Sequence, residues 1–179
     1  MGLLFALASC FFALSQNLNL SVIFLVLAGI CDLFDGAVAR KIKRTDAEKE
    51  FGIQLDTVVD VVNFGIAPMI IAFSNVSAIW YALVIYAFYI IAAVVRLSFY
   101  NTTAAPNTRT KYYQGLPVTY IALVLPIILL FGNMLLSLVA LLVMGLLFIM
   151  NVKIPKPKGI WYLLFPVIAI ALIIVWSIL

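Results

Sequence analysis

An all-α polytopic membrane helix bundle is the fold class this sequence predicts, and three observations predict it. Mean hydropathy is +1.23 and only 10% of the 179 residues are charged, too little polar surface to coat a soluble globule. Apolar runs of spanning or near-spanning length recur at about 2–15, 20–40, 51–74, 78–99, 116–132, 134–151 and 160–178. All the Lys and Arg residues fall at alternate boundaries between those runs.

The first run, Met1 to Leu14, is short for a span and lacks the positive flank of a signal peptide, so it is either a short helix or the remainder of a chain that begins earlier. The gap after it carries no charge. The second run ends at Arg40, with Lys41, Lys43, Arg44 and Lys49 behind it. The third closes on an uncharged gap. The fourth contains Arg96 and precedes Arg109 and Lys111. The fifth again closes on an uncharged gap, and Lys153, Lys156 and Lys158 follow the sixth. By the positive-inside rule all eleven basic residues are cytoplasmic, which gives seven spans in one domain over residues 1–179, N-terminus in and C-terminus out. The expected location is the cell membrane, with the functional face toward the cytoplasm.

Pro106, Pro155 and Pro157 mark loops. Pro68, Pro117, Pro126 and Pro166 lie at or within spans, where neighbouring helices satisfy the freed backbone groups. Tyr112, Tyr113 and Trp161 are placed as interfacial anchors.

Several chemistries are excluded. There is no histidine, so His-based acid/base catalysis, Ser-His triads and His-ligated zinc are out, and a metal here must be hard and held by oxygen. Cys10 and Cys31 lie far from any metal-ligand spacing and read as small buried hydrophobes. The net charge of +4 comes from basic residues too few and too regularly placed for nucleic acid.

Four aspartates need a function. A carboxylate near mid-bilayer costs about 2.5 to 3.5 kcal/mol even on insertion scales, yet Asp32, Asp35, Asp56 and Asp60 all sit in apolar runs. In the second run Asp32, Asp35, Gly36 and Arg40 share one helical stripe; in the third, Gly52, Asp56 and Asp60 follow at intervals of four. Antiparallel helices joined by about a dozen polar residues would bring all four carboxylates to one depth. Crowded like charges resist joint ionisation. Two divalent ions, Mg²⁺ or Mn²⁺, would cancel four charges and leave a surface able to hold a diphosphate. Arg40 could offset further phosphate charge, and Gly36 and Gly52 would let a ligand approach the backbone. Asp46, Glu48 and Glu50 read as solvated loop charges.

The string Asp32, Asp35, Gly36, Ala39, Arg40, Gly52, Asp56, Asp60 resembles the signature of the CDP-alcohol phosphatidyltransferase family, D-x2-D-G-x2-A-R-x8-G-x3-D-x3-D. One departure is visible: eleven residues rather than eight separate Arg40 from Gly52, an excess expected to lengthen the cytoplasmic loop. The resemblance implies attack of an alcohol on the phosphorus of a CDP-linked lipid with release of CMP. It implies that Asp32, Asp35, Asp56 and Asp60 ligate metal, that Asp60 is also the general base, that Gly36 and Arg40 contact CDP, and that Thr45 could supply a hydroxyl contact.

Further matches resemble the serine-transferring branch of that family, the phosphatidylserine synthases: "DVVNFGIAP" from Asp60, "RLSFYN" from Arg96, "GLPV" from Gly115 and "MNVKIPKP" from Met150. Together they cover roughly 20–157, with 160–179 an additional helix outside them. Phe99 and Thr119 depart from that branch, Thr119 standing where it has a second proline. The implied acceptor is L-serine, with Arg96 and Asn63 as candidate acceptor contacts, CDP-diacylglycerol as donor, phosphatidylserine as product and a homodimer as the assembly. Two alternatives stay open: another alcohol such as glycerol 3-phosphate or an inositol phosphate, and a divalent-cation transporter.

Overall fold

The computed structural model describes residues 1–39, 42–75, 80–103, 112–151, 153–155 and 161–179. Eight α-helices dominate it: α1 (Gly2–Leu14), α2 (Leu18–Ala39), α3 (Asp46–Asp60), α4 (Ala67–Ser74), α5 (Trp80–Thr103), α6 (Ile121–Leu129), α7 (Met134–Ile149) and α8 (Trp161–Ile178). A π-helical turn, Val61–Ile66, joins α3 to α4 without a break, and a 3-10 turn, Val118–Tyr120, leads into α6. Three stretches are long and apolar enough to cross a membrane: Leu18–Gly36, Asp46–Ser74 and Trp80–Thr102. The remaining apolar helices are shorter, at 10–17 residues.

The short first run is a helix, Gly2–Leu14, and it is tied to α2. Ser9 Oγ donates to the Ser21 carbonyl at 2.8 Å and Ser21 Oγ donates to the Ser9 carbonyl at 2.9 Å, both fully buried. Where lipid tails compete equally for apolar surface, such reciprocal bonds and close packing hold helices together, at about 0.6 kcal/mol per bond. Small residues let the other helices approach: a Cβ on Gly29 would lie 2.8 Å from the Ala122 Cβ, and one on Gly145 would lie 2.8 Å from the Phe88 ring. The core between them is built from Leu25, Phe64, Ile71, Tyr89, Ile121, Leu125, Leu141 and Phe148. α8 packs on α2 and α6 through Ala169 and Leu172, against Val26 and Leu123.

Three features differ from the sequence expectation. The first is a two-stranded antiparallel ribbon, β1 (Tyr112–Gln114) with β2 (Lys153–Pro155), pairing Tyr113 with Ile154. It joins two segments read as separate loops. The second is the start of α3. Residues 46–50, expected in the loop, form its opening turn, because Thr45 and Glu48 make a capping box: the Thr45 hydroxyl accepts from Glu48 N–H, and the Glu48 carboxylate accepts from Thr45 N–H at 2.7 Å. α3 therefore begins at Asp46, closer to the end of α2 at Ala39 than the dozen-residue connection expected.

The third difference is the π turn. Pro68, at the start of α4, has no N–H to return to the Phe64 carbonyl four residues back. The buried Tyr89 hydroxyl of α5 donates to that carbonyl instead, so the wider turn is held by a tertiary bond.

Candidate active site

The carboxylates converge where α2 meets the end of α3. Oxygens of Asp32, Asp56 and Asp60 all lie within 4.8 Å of one another. Asp60 is the last residue of α3, and the π turn begins at the next one. Asp35 stands outside this group of three. Three residues on from Asp32, it is rotated about 60° around α2 and is exposed, lining a cleft of about 360 Å³ with Gly36, Arg44, Lys49, Gly52, Ile53 and Asp56. The sequence expectation of four carboxylates at one point is thus met by three, with the fourth on the adjoining wall. Among the described residues α2 and α3 share no extensive packed face, and the cleft lies between Asp35 and Gly36 of α2 and Gly52, Ile53 and Asp56 of α3.

The remaining candidates distribute around the two sides. Gly52 faces Arg44: a Cβ there would lie 3.1 Å from the guanidinium, so its missing side chain makes room for a cation at the cleft wall. Thr45 caps α3, and its hydroxyl donates to Glu48 Oε2 at 2.8 Å. Arg40 lies outside the described residues. On the membrane side, Asn63 is 1% exposed within the π turn, and its Nδ2 lies against Gly2 of α1, 3.1 Å from where a Cβ would sit. Arg96 is not a snorkelling surface group. It is 7% exposed, its Nε donates to the Leu116 carbonyl at 3.1 Å, and its guanidinium lies 5.2 Å from the Tyr100 ring centre.

Sequence reasoning missed four contributors. Arg44 and Lys49 line the cleft; the charge run was read only for topology. Thr119 donates from Oγ1 to Asp32 Oδ2 at 3.1 Å, and its departure from the resembled pattern was the available signal. Asn101 donates to the Thr57 hydroxyl at 2.6 Å and ties α3 to α5; no spacing rule links residues 44 apart.

These residues fit a divalent cation. The donor set is all oxygen, which suits a hard ion. Asp60 Oδ1 is buried without a hydrogen-bond partner, as is Asn63 Oδ1, a cost of about 1–3 kcal/mol for each group left so. Lys49 pairs with Asp46 at 2.8 Å on the solvent side of α3. Asp32, Asp35, Asp56 and Asp60 take no part in that pair.

A family model for CDP-alcohol phosphatidyltransferase matches residues 1–176. The chain belongs to this family. The match is wider than the 20–157 of the motif resemblance and takes in α1 and most of α8. CDP-alcohol phosphatidyltransferase membership and the three long apolar helices together make this a membrane protein, and they leave the ion-transporter alternative without support. Among curated relatives, the CDP-diacylglycerol–serine O-phosphatidyltransferase of Saccharomyces cerevisiae is 36% identical over 110 residues, 57% of this chain and 39% of that protein. The protein of the same name from Helicobacter pylori is 29% identical over 166 residues, 85% of this chain and 67% of its own. The archaetidylserine synthase of Methanothermobacter thermautotrophicus is 32% identical over 111 residues, covering 62% of this chain and 46% of that protein. The chain therefore spans well under two thirds of the yeast and archaeal relatives' length.

Proposed function

We infer that this chain transfers the phosphatidyl group of CDP-diacylglycerol to L-serine, giving phosphatidylserine and CMP. The observation that carries the reading is the meeting of Asp32, Asp56 and Asp60 oxygens within 4.8 Å at the head of a cleft lined by Arg44 and Lys49, in a family of CDP-alcohol phosphatidyltransferases. The serine-transferring names of the relatives support the acceptor.

Asp32, Asp35, Asp56 and Asp60 would hold two divalent ions, Mg²⁺ or Mn²⁺. Bound there, the ions supply charge neutralisation at the phosphates and at the leaving oxygen. The chain's own groups do the rest. Arg44 and Lys49, with Arg40, draw the diphosphate into the cleft, while Gly36 and Gly52 keep its wall open. Thr45 in this reading shapes the cleft by starting α3 rather than by touching CDP. Arg96 offers positive charge to the serine carboxylate and Asn63 an amide to orient it. Asp60 takes the proton of the serine hydroxyl. The serine oxygen then bonds to the lipid-bearing phosphorus as the bond from that phosphorus to the CMP oxygen breaks, and CMP leaves with the bonding pair. Such a transfer needs alignment and electrostatic stabilisation more than covalent help.

The membrane arrangement in this reading has seven spans, N-terminus inside and C-terminus outside, with the cleft open to the cytoplasm of a cell membrane and a homodimer as the assembly. Cysteine accessibility labelling and cross-linking in vesicles check both.

An acceptor screen with purified protein, CDP-diacylglycerol and labelled serine, glycerol 3-phosphate or inositol phosphate tests the function by mass spectrometry of the lipid product. Phosphatidylserine with matching CMP release is the expected result. A lipid product formed with another alcohol and not with serine overturns the acceptor, and no CMP release with any alcohol overturns the activity.

A further inference from the structure

The segment between β1 and α6 is braced more firmly than a connecting loop requires. Gly115 has φ +74°, and a Cβ there would lie 2.5 Å from the Phe148 carbonyl, so only glycine lets the chain pass so close to the end of α7. Leu116 N–H donates to the Leu147 carbonyl at 3.1 Å. The Leu116 carbonyl accepts from Arg96, and Tyr120 N–H closes the 3-10 turn on the Pro117 carbonyl at 3.2 Å. Val118 and Ile121, on either side, are buried in the core. What this brace presents to the site is the Thr119 hydroxyl, which donates to Asp32 Oδ2 at 3.1 Å across 87 residues of sequence.

We propose that Thr119 is a positioning residue for cation binding, its hydroxyl holding the Asp32 carboxylate in the orientation in which it faces Asp56 and Asp60. The inference rests on the cation-dependent reading of the site given above. A carboxylate with two free torsions must lose that freedom when it ligates an ion; one already held by a donor on a rigid turn has less to lose, and its ligating oxygen is fixed in direction.

The test is Mn²⁺ binding to the purified full chain in detergent micelles without lipid substrate, read by the electron paramagnetic resonance of free Mn²⁺. Thr119→Val, close to the same shape without the donor, is expected to weaken binding about tenfold or more, as loss of a ligand-orienting partner does. Thr119→Ser restores the donor and is expected to stay within about twofold of the parent protein on the same grounds. If the valine chain does not fold, Thr119→Ala takes its place with the same expectation. Parent-like affinity in the valine or alanine variant overturns the inference, and so does a serine variant as weak as either. Asp32→Asn separates the two levels of the argument: a parent protein that binds Mn²⁺, an Asp32→Asn chain that does not, and an unaffected Thr119→Val chain would sink only the role of Thr119. A parent chain that binds no Mn²⁺ would sink both.

Discussion

The two sides of the site are built on opposite principles. On one side, Asp32 is held by Thr119, Asn63 and Arg96 are buried, and the π turn is fastened to α5 by Tyr89. On the other, α3 has no buried residue at all; its tie to the bundle in mid-helix is the Thr57–Asn101 bond, and Asp35, Arg44, Lys49, Gly52 and Asp56 line an open cleft. A packed wall keeps reacting groups in register, because interiors resist small displacements. An exposed arm admits a large charged ligand and can move. In the proposed reaction this division puts proton transfer and acceptor alignment on the packed side and capture of the CDP group on the open one.

The most severe break of that division is at the junction. Asp60→Asn removes the proposed base but leaves an oxygen in the cluster. Turnover should fall by about 10² to 10⁴-fold, the share a positioned base supplies, while cation-dependent binding of CDP-diacylglycerol largely survives. Asp56→Asn, on the open side, should lose binding and turnover together. Single-turnover kinetics beside equilibrium binding of the CDP-lipid separates these outcomes, and near-normal turnover in Asp60→Asn would remove the base assignment. Next in size is Tyr89→Phe, which leaves the buried Phe64 carbonyl without its donor and should cost about 1 to 3 kcal/mol of stability. Its signature belongs to the packed side: a lower melting temperature and a reduced kcat, with the KM for CDP-diacylglycerol unchanged.

How legible each side was in the sequence follows from the same contrast. The helical runs and the two aspartate stripes are local patterns of period 3.6, and the structure contains both; the convergence of Asp32, Asp56 and Asp60 follows from them. Asp35 shares the α2 stripe only approximately, and the 60° that a stripe tolerates is enough to move a carboxylate from the cluster to the cleft wall. The start of α3 was readable, since Thr45 and Glu48 have capping-box spacing, but the charged composition of 46–50 favoured a loop. The remaining features are tertiary. The π turn depends on a tyrosine from another helix, the β1–β2 ribbon pairs three-residue strands from segments far apart in sequence, and Thr119 reaches Asp32 only because Gly115 and Leu116 are pinned against α7. None of these leaves a periodic trace.

The smallest expected effect tests the open side by itself. Thr45→Ala removes the hydroxyl that accepts from Glu48 N–H and donates to its carboxylate, and loss of an N-cap costs about 0.5 to 2 kcal/mol. Because the first turns of α3, residues 46–51, are exposed, that cost should stay local: residues 46–52 fray, the amides there exchange hydrogen faster, and the melting temperature of the bundle barely moves. Fraying would loosen the cleft wall that carries Lys49 and Gly52, so the KM for CDP-diacylglycerol should rise a few-fold with kcat intact, the mirror image of Tyr89→Phe. A Thr45→Ala chain that lost kcat and kept its KM would mean that α3 is coupled to the packed wall as one body, and that the site is not divided between a rigid half and a yielding one.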